Sequence, residues 1–261
     1  MADSSIKNNY DGLHESLEIL LDDIQKMHDI INVAQRGLQM TQGAPNAVKV
    51  LAKVKNEEDT EKHKLSLQKV ERIADIAKKE IDSGFPFLYS QSSIMLYSYL
   101  EGAIKRFVII YFKKNDLEKI KEVANIKIAF SEFVNLDDNE KFEHLFILYE
   151  KLLTVGMQYG VTRFENLLGP INFSGYVDKD LAKIIFELSQ IRNVILHRGG
   201  KADKQFIACC PWLNYAVGDR IIVTDKKYDE YYVGVCKYVT ELAIRLGEKR
   251  GKDMSEYKIK A

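Results

Sequence analysis

The chain has 261 residues, 46% apolar and 29% charged, enough to bury one substantial core or a core plus an appended helical arm. Lys+Arg and Asp+Glu both number 38, which excludes a long-range positive field, so any attraction to nucleic acid must come from a local basic patch. Three cysteines, with Cys209 and Cys210 adjacent and Cys236 apart, exclude a disulfide framework and the paired spacing of a zinc site.

In chain order, Met1 to Tyr10 is polar with no apolar core, and no apolar run anywhere exceeds a few residues. Neither a signal peptide nor a membrane span is expected, and the reading is cytoplasmic. From Tyr10 to about Met40, Leu13, Leu17, Leu20, Leu21, Ile24, Met27 and Ile31 recur at three and four residues, which predicts one long helix. Thr41-Gln42-Gly43-Ala44-Pro45-Asn46 is expected to break it, because Gly and Pro both disfavour helix interiors. A second long helix with a thin apolar stripe follows between Asn56 and Ser83, ending at Gly84. Ser90 to Phe112 carries Tyr97, Leu100, Ile104, Phe107, Val108 and Tyr111 at helical spacing and predicts a central core helix.

Shorter helices are expected over Leu117 to Val123, Asn139 to Val155 and Thr162 to Leu168. The next runs from Asp178 to His197, with Asp178 and Asp180 suitably placed to cap its start and Gly199-Gly200 ending it. Phe206 to Thr224 is β-branched and aromatic around Gly218-Asp219 and suggests a minor hairpin, and Tyr228 to Gly247 closes the chain as an amphipathic helix. The fold class is all-α, divided into an N-terminal helical arm (1–84), a helical core (85–250, with the hairpin at 206–224) and a polar tail (251–261).

Chemistry concentrates on the helix ending at His197. Leu181, Ile184, Ile185, Leu188, Ile191 and Ile195 share one side of it, and Arg192 falls among them. A guanidinium in that position needs a carboxylate or must line a cleft that admits an anion. Glu101, at the edge of the apolar face of the Ser90 to Phe112 helix, is its natural mate. Asn193 and His197 stand one turn apart on the other side of their helix and can act together. The remaining histidines, His14, His28, His63 and His144, have no neighbour at metal-ligand spacing. Trp212, Tyr215, Tyr231 and Tyr232 either stack bases or belong to the core, more often the latter.

Arg192-Asn193-Val194-Ile195-Leu196-His197 resembles the signature of the HEPN family, an arginine and a histidine four to six residues apart with a polar residue after the arginine. Glu101-Gly102-Ala103-Ile104-Lys105-Arg106 is similar to the glutamate, three-residue gap, lysine-arginine motif on an earlier helix of a number of HEPN nucleases. The likeness spans roughly Ser90 to Gly247. It implies an HEPN-like helical bundle and RNA cleavage without metal or other cofactor, with Arg192, Asn193, His197 and Glu101 as the catalytic set. Lys105, Arg106, Arg198 and Lys201 would form a basic rim for the RNA backbone. It further implies a homodimer with a composite site and a role as a toxin or antiphage effector, with an antitoxin or sensor protein as a further partner. Gly199 departs from those HEPN toxins that carry, two residues after the histidine, a tyrosine modified by a nucleotidyltransferase. The alternatives are a catalytically silent module that binds RNA or nucleotide, or a helical interaction protein using its N-terminal helices.

Overall fold

The computed structural model describes residues 11–58, 60–153 and 159–257. The polar start Met1 to Tyr10, the expected helix end at Val155 and the last residues of the tail lie outside that set. The described residues form ten α-helices and short 3-10 turns, with no strand among them, so the protein is all-α. Among the described residues no helix is long and apolar enough to cross a membrane.

The first helix, α1 (Asp11–Lys55), runs without interruption through Pro45, where the sequence reading placed a break. The missing N–H of one proline costs a single helix bond and a local bend, on the order of 3 kcal/mol. Against that cost, Ile31, Leu38, Val48 and Ala52 continue one covered stripe in register across the proline, with Ile31 and Ala52 buried. Contacts spread along the stripe outweigh one unfavourable residue. α2 (Glu61–Asp82) begins at Thr60, whose hydroxyl accepts from the His63 N–H at 3.2 Å, and it ends at Gly84, where φ is +79°. α3 (Pro86–Lys114) contains the expected core helix, with Leu100, Phe107 and Val108 almost wholly buried.

Short turns α4 (Lys121–Ala124) and α5 (Phe130–Phe133) lead to α6 (Asp138–Leu153) and α7 (Gly160–Leu168). α8 (Lys179–His197) starts at Asp178, whose carboxylate accepts from the N–H groups of Asp180 and Leu181, and stops at Gly199 and Gly200, both with positive φ. Its middle, Glu187 to Ile191, is buried all round, so α8 is a central helix and not a surface one.

The expected hairpin at 206–224 is not formed. α9 (Lys204–Cys209) and a 3-10 turn at Pro211–Leu213 occupy its first half, and the only β-type pairing among the described residues is a single antiparallel bridge between Lys201 and Arg220. Phe206, Cys210, Ile221 and Val223 are all buried, so the apolar residues that suggested strands are instead absorbed into the core from a helix and an irregular loop. Asp203 caps α9 through the Phe206 N–H. α10 (Asp225–Lys249) follows, with Tyr231, Val235, Tyr238 and Leu242 buried.

By proximity the chain groups into two compact units, where the sequence reading drew an arm over 1–84 and a core over 85–250. One unit comprises residues 1–24, 94–221 and 230–261; the other comprises 25–93 and 222–229. In the first, the Ser16 hydroxyl donates to the Ala103 carbonyl, joining the start of α1 to α3. In the second, Gln35 donates to the Tyr89 hydroxyl at 2.8 Å, and Lys49 pairs with Glu71.

Candidate functional site

The site forms in the first unit, where α3, α6, α7 and α8 surround a cavity of about 270 Å³. Glu101, Lys105, Phe146, Glu150, Arg163 and Arg192 are among its walls. Close approach of α7 to α8 depends on Gly160. Its φ is +60°, and a Cβ there would come within 2.7 Å of the Phe186 backbone. Only glycine meets both demands.

Glu101 and Arg192 do meet, with Arg192 Nη2 at 3.4 Å from Glu101 Oε2. The stronger partner of Glu101 is Arg163, whose Nη1 donates to Oε1 while its Nη2 donates to Glu150 at 2.6 Å. The cluster thus alternates sign across four helices: Arg192, Glu101, Arg163, Glu150. Burial opposes the Arg163 charge, but the Glu150 hydrogen bond and the nearby Glu101 more than compensate and raise its pKa above the ordinary value. Tyr97, nearly fully buried beside the cluster, is raised by burial first and by the Glu101 charge second, so its phenol stays protonated.

Arg192 has further donors than those used on Glu101. Its Nη1 donates to Asn193 Oδ1 at 3.1 Å, and its buried Nε–H has no hydrogen-bond acceptor. Asn193 therefore orients the guanidinium. His197, the last residue of α8, is exposed and makes no hydrogen bond or ion pair among the described residues. Arg192 lines the cavity, whereas Asn193 and His197 are not among its walls.

The four residues read as a basic rim differ in their surroundings. Lys105 pairs with Glu143 and lies 5.8 Å from the centre of the Phe146 ring. Arg198 pairs with Asp203 and donates to Gln205, so it serves the loop after α8. The Arg198 charge adds to the Phe206 N–H, which is the larger influence, in lowering the Asp203 pKa. Arg106 is half-buried, and its Nε and Nη2 have no hydrogen-bond partner. Lys201 is exposed.

Sequence reasoning missed Arg163 and Glu150. The available signal was Arg163 between Val161 and Phe164 on a short apolar helix, the same anomaly that singled out Arg192. It also missed Glu187, 3% exposed, which accepts from the Trp212 indole at 2.6 Å and the Tyr231 hydroxyl at 2.5 Å. Tyr231 is fully buried, which places it in the core and removes it as a base-stacking platform. Trp212 carries Lys183 over its ring at 4.5 Å. Burial, then the Glu187 charge, pushes the Cys210 thiol up to about 12, so it is no nucleophile near neutrality. Among the described residues no group of three or more His, Cys, Asp and Glu is placed to hold a metal. No family model, curated protein or solved structure matches the chain.

Proposed function

We propose that the protein is a metal-independent endoribonuclease of the HEPN type, acting in the cytoplasm as a toxin or antiphage effector. The observation that carries this reading is the Arg192 guanidinium, held by Glu101 and Asn193 in the wall of the cavity, on the helix that ends in the exposed His197. Each of its two Nη groups directs one N–H at those partners and keeps another, for which a phosphate oxygen entering the cavity is an acceptor.

In the reaction, the ribose 2′-oxygen bonds to the adjacent phosphorus as the P–O5′ bond breaks. The 2′-hydroxyl proton passes to a base, and an acid returns a proton to the departing 5′-oxygen. Arg192 stabilises the charge that builds on the non-bridging oxygens. His197, of a residue type that gains and loses a proton near neutrality, performs one transfer, and the His197 of a second copy performs the other. The products are a 2′,3′-cyclic phosphate and a 5′-hydroxyl. Arg106 and Lys201 supply backbone contacts beyond the scissile phosphate, while Lys105 and Arg198, already paired with Glu143 and Asp203, add less positive charge to the rim.

The test is incubation of wild type and His197→Ala with mixed-sequence RNA in excess EDTA, with analysis of the fragment ends. Cleavage by wild type alone, leaving cyclic phosphate and 5′-hydroxyl ends, supports the proposal. Equal cleavage by both proteins sinks the role of His197. Binding without cleavage favours the second reading, a silent RNA-binding module, which draws on the same Arg192 and on the absence of His197 from the cavity walls that Arg192 lines.

A further inference from the structure

The part of α1 that belongs to the second unit carries two apolar stripes. One, through Ile31, Leu38, Val48 and Ala52, is covered by the chain itself. The other, one residue earlier, reads Ile30, Val33, Gly37, Met40, Ala44, Ala47, Leu51 and Val54, with spacings that alternate strictly between three and four. That alternation is the seam of a coiled coil, here sustained for more than three heptads. Its large members face water: Val33 is 69% exposed, Met40 80% and Val54 76%. A seam of roughly 36 Å, at 1.5 Å of rise per residue, is far more regular than scattered surface apolar residues.

We propose that this seam is the surface on which a second copy of the chain packs, antiparallel and related by a two-fold axis at Gln42. The sequence of the seam is self-complementary under that operation. Ile30 then opposes Val54 of the second copy, Val33 opposes Leu51, Gly37 opposes Ala47 and Met40 opposes Ala44. Large side chains meet at both ends, small ones near the middle let the backbones approach, and each Met40 fills the space left by an alanine. Such matching of a surface with itself is what a closed two-fold interface requires.

Charge leaves the seam clear for this arrangement. Between Val33 and Lys55 the charged residues are Arg36, Lys49, Lys53 and Lys55. With the seam at positions a and d of the heptad, Lys49 and Lys53 fall at the outward f and c positions, and Lys49 is held by Glu71 of its own chain. Only Arg36 and Lys55 flank the seam, and antiparallel pairing about Gln42 keeps them about two helical turns or more apart, so no like charges meet across it. Pro45, one position off the seam, does not enter it.

The mass of the full chain by light scattering, over a hundredfold range of concentration, tests the proposal. Wild type is expected at the mass of two chains, and Met40→Glu and Leu51→Glu at the mass of one, with helicity by circular dichroism unchanged because both positions face water in the single chain. Wild type at one-chain mass throughout, or variants that remain dimeric, overturns it and assigns the seam to a different partner. Orientation is read by oxidation, with wild type as the control for the native cysteines. A mixture of Val33→Cys and Leu51→Cys chains is expected to cross-link, and Val33→Cys alone is not; the reverse result establishes parallel pairing and overturns the arrangement. No cleavage is measured, so the outcome stands whether or not the nuclease reading does.

Discussion

Glu101 holds two arginines from two other helices, and its side chain is only 20% exposed. Replacing its charge leaves Arg163 with Glu150 alone and Arg192 with Asn193 alone. Both guanidinium groups are about three-quarters buried, so water only partly replaces the lost partner. Glu101→Gln keeps the shape and an acceptor oxygen but removes the charge, and it is expected to cost about 1–3 kcal/mol. Urea unfolding should show this as a lower midpoint at unchanged slope. An unchanged midpoint would mean that the Glu101 charge does not hold the bundle together. The pairing of Glu101 with Arg192 was legible because each interrupts an apolar face and demands a partner. Arg163 was not, because periodicity treats one helix at a time and does not say that a third helix brings a better-placed cation to the same carboxylate.

At the scale of elements, the long periodic segments could be read directly, and the caps at Thr60 and Asp178 and the stops at Gly84 and Gly199-Gly200 lie where local chemistry requires them. Two elements misled. Gly43 and Pro45 spoke for a break in α1, but a local penalty of a few kcal/mol is outweighed by a covered stripe that continues through it. In 206–224 the β-branched and aromatic residues signalled burial, and burial was realised through α9 and a loop. The contact that sets the site itself depends on one residue no pattern marks, Gly160. Gly160→Ala adds a methyl where the Phe186 backbone already stands and places it on a backbone with φ of +60°. α7 must then shift from α8, carrying Arg163 with it. A loss of about 2–4 kcal/mol is expected, from strain and from contacts between the helices. Thermal unfolding measures it. A variant as stable as wild type would show that α7 can retreat without penalty and that the site does not depend on this approach.

The whole molecule is electrically neutral, so in the proposed function RNA would be held by a few local cations, and cleavage would depend on how the proton-transfer groups are assembled. Each chain offers one His197, whereas the reaction needs a base and an acid. If the second imidazole comes from a second copy, activity per chain must fall when dilution separates the copies, while a site complete in one chain keeps constant activity per chain. The seam on α1 gives an independent way to change assembly without touching the cavity residues, since Met40 and Arg192 belong to different units. Cleavage by wild type is therefore expected to lose specific activity below the concentration at which the dimer dissociates. Met40→Glu should reach the same low specific activity already at concentrations where wild type is dimeric, a drop of at least tenfold. Measuring cleavage rate and mass on the same dilution series decides the matter. Coincident losses tie the active form to the paired chains. Full activity per chain in a Met40→Glu protein of single-chain mass would show that one chain carries both proton-transfer groups, and the acid would then have to be sought among the residues of its own cavity.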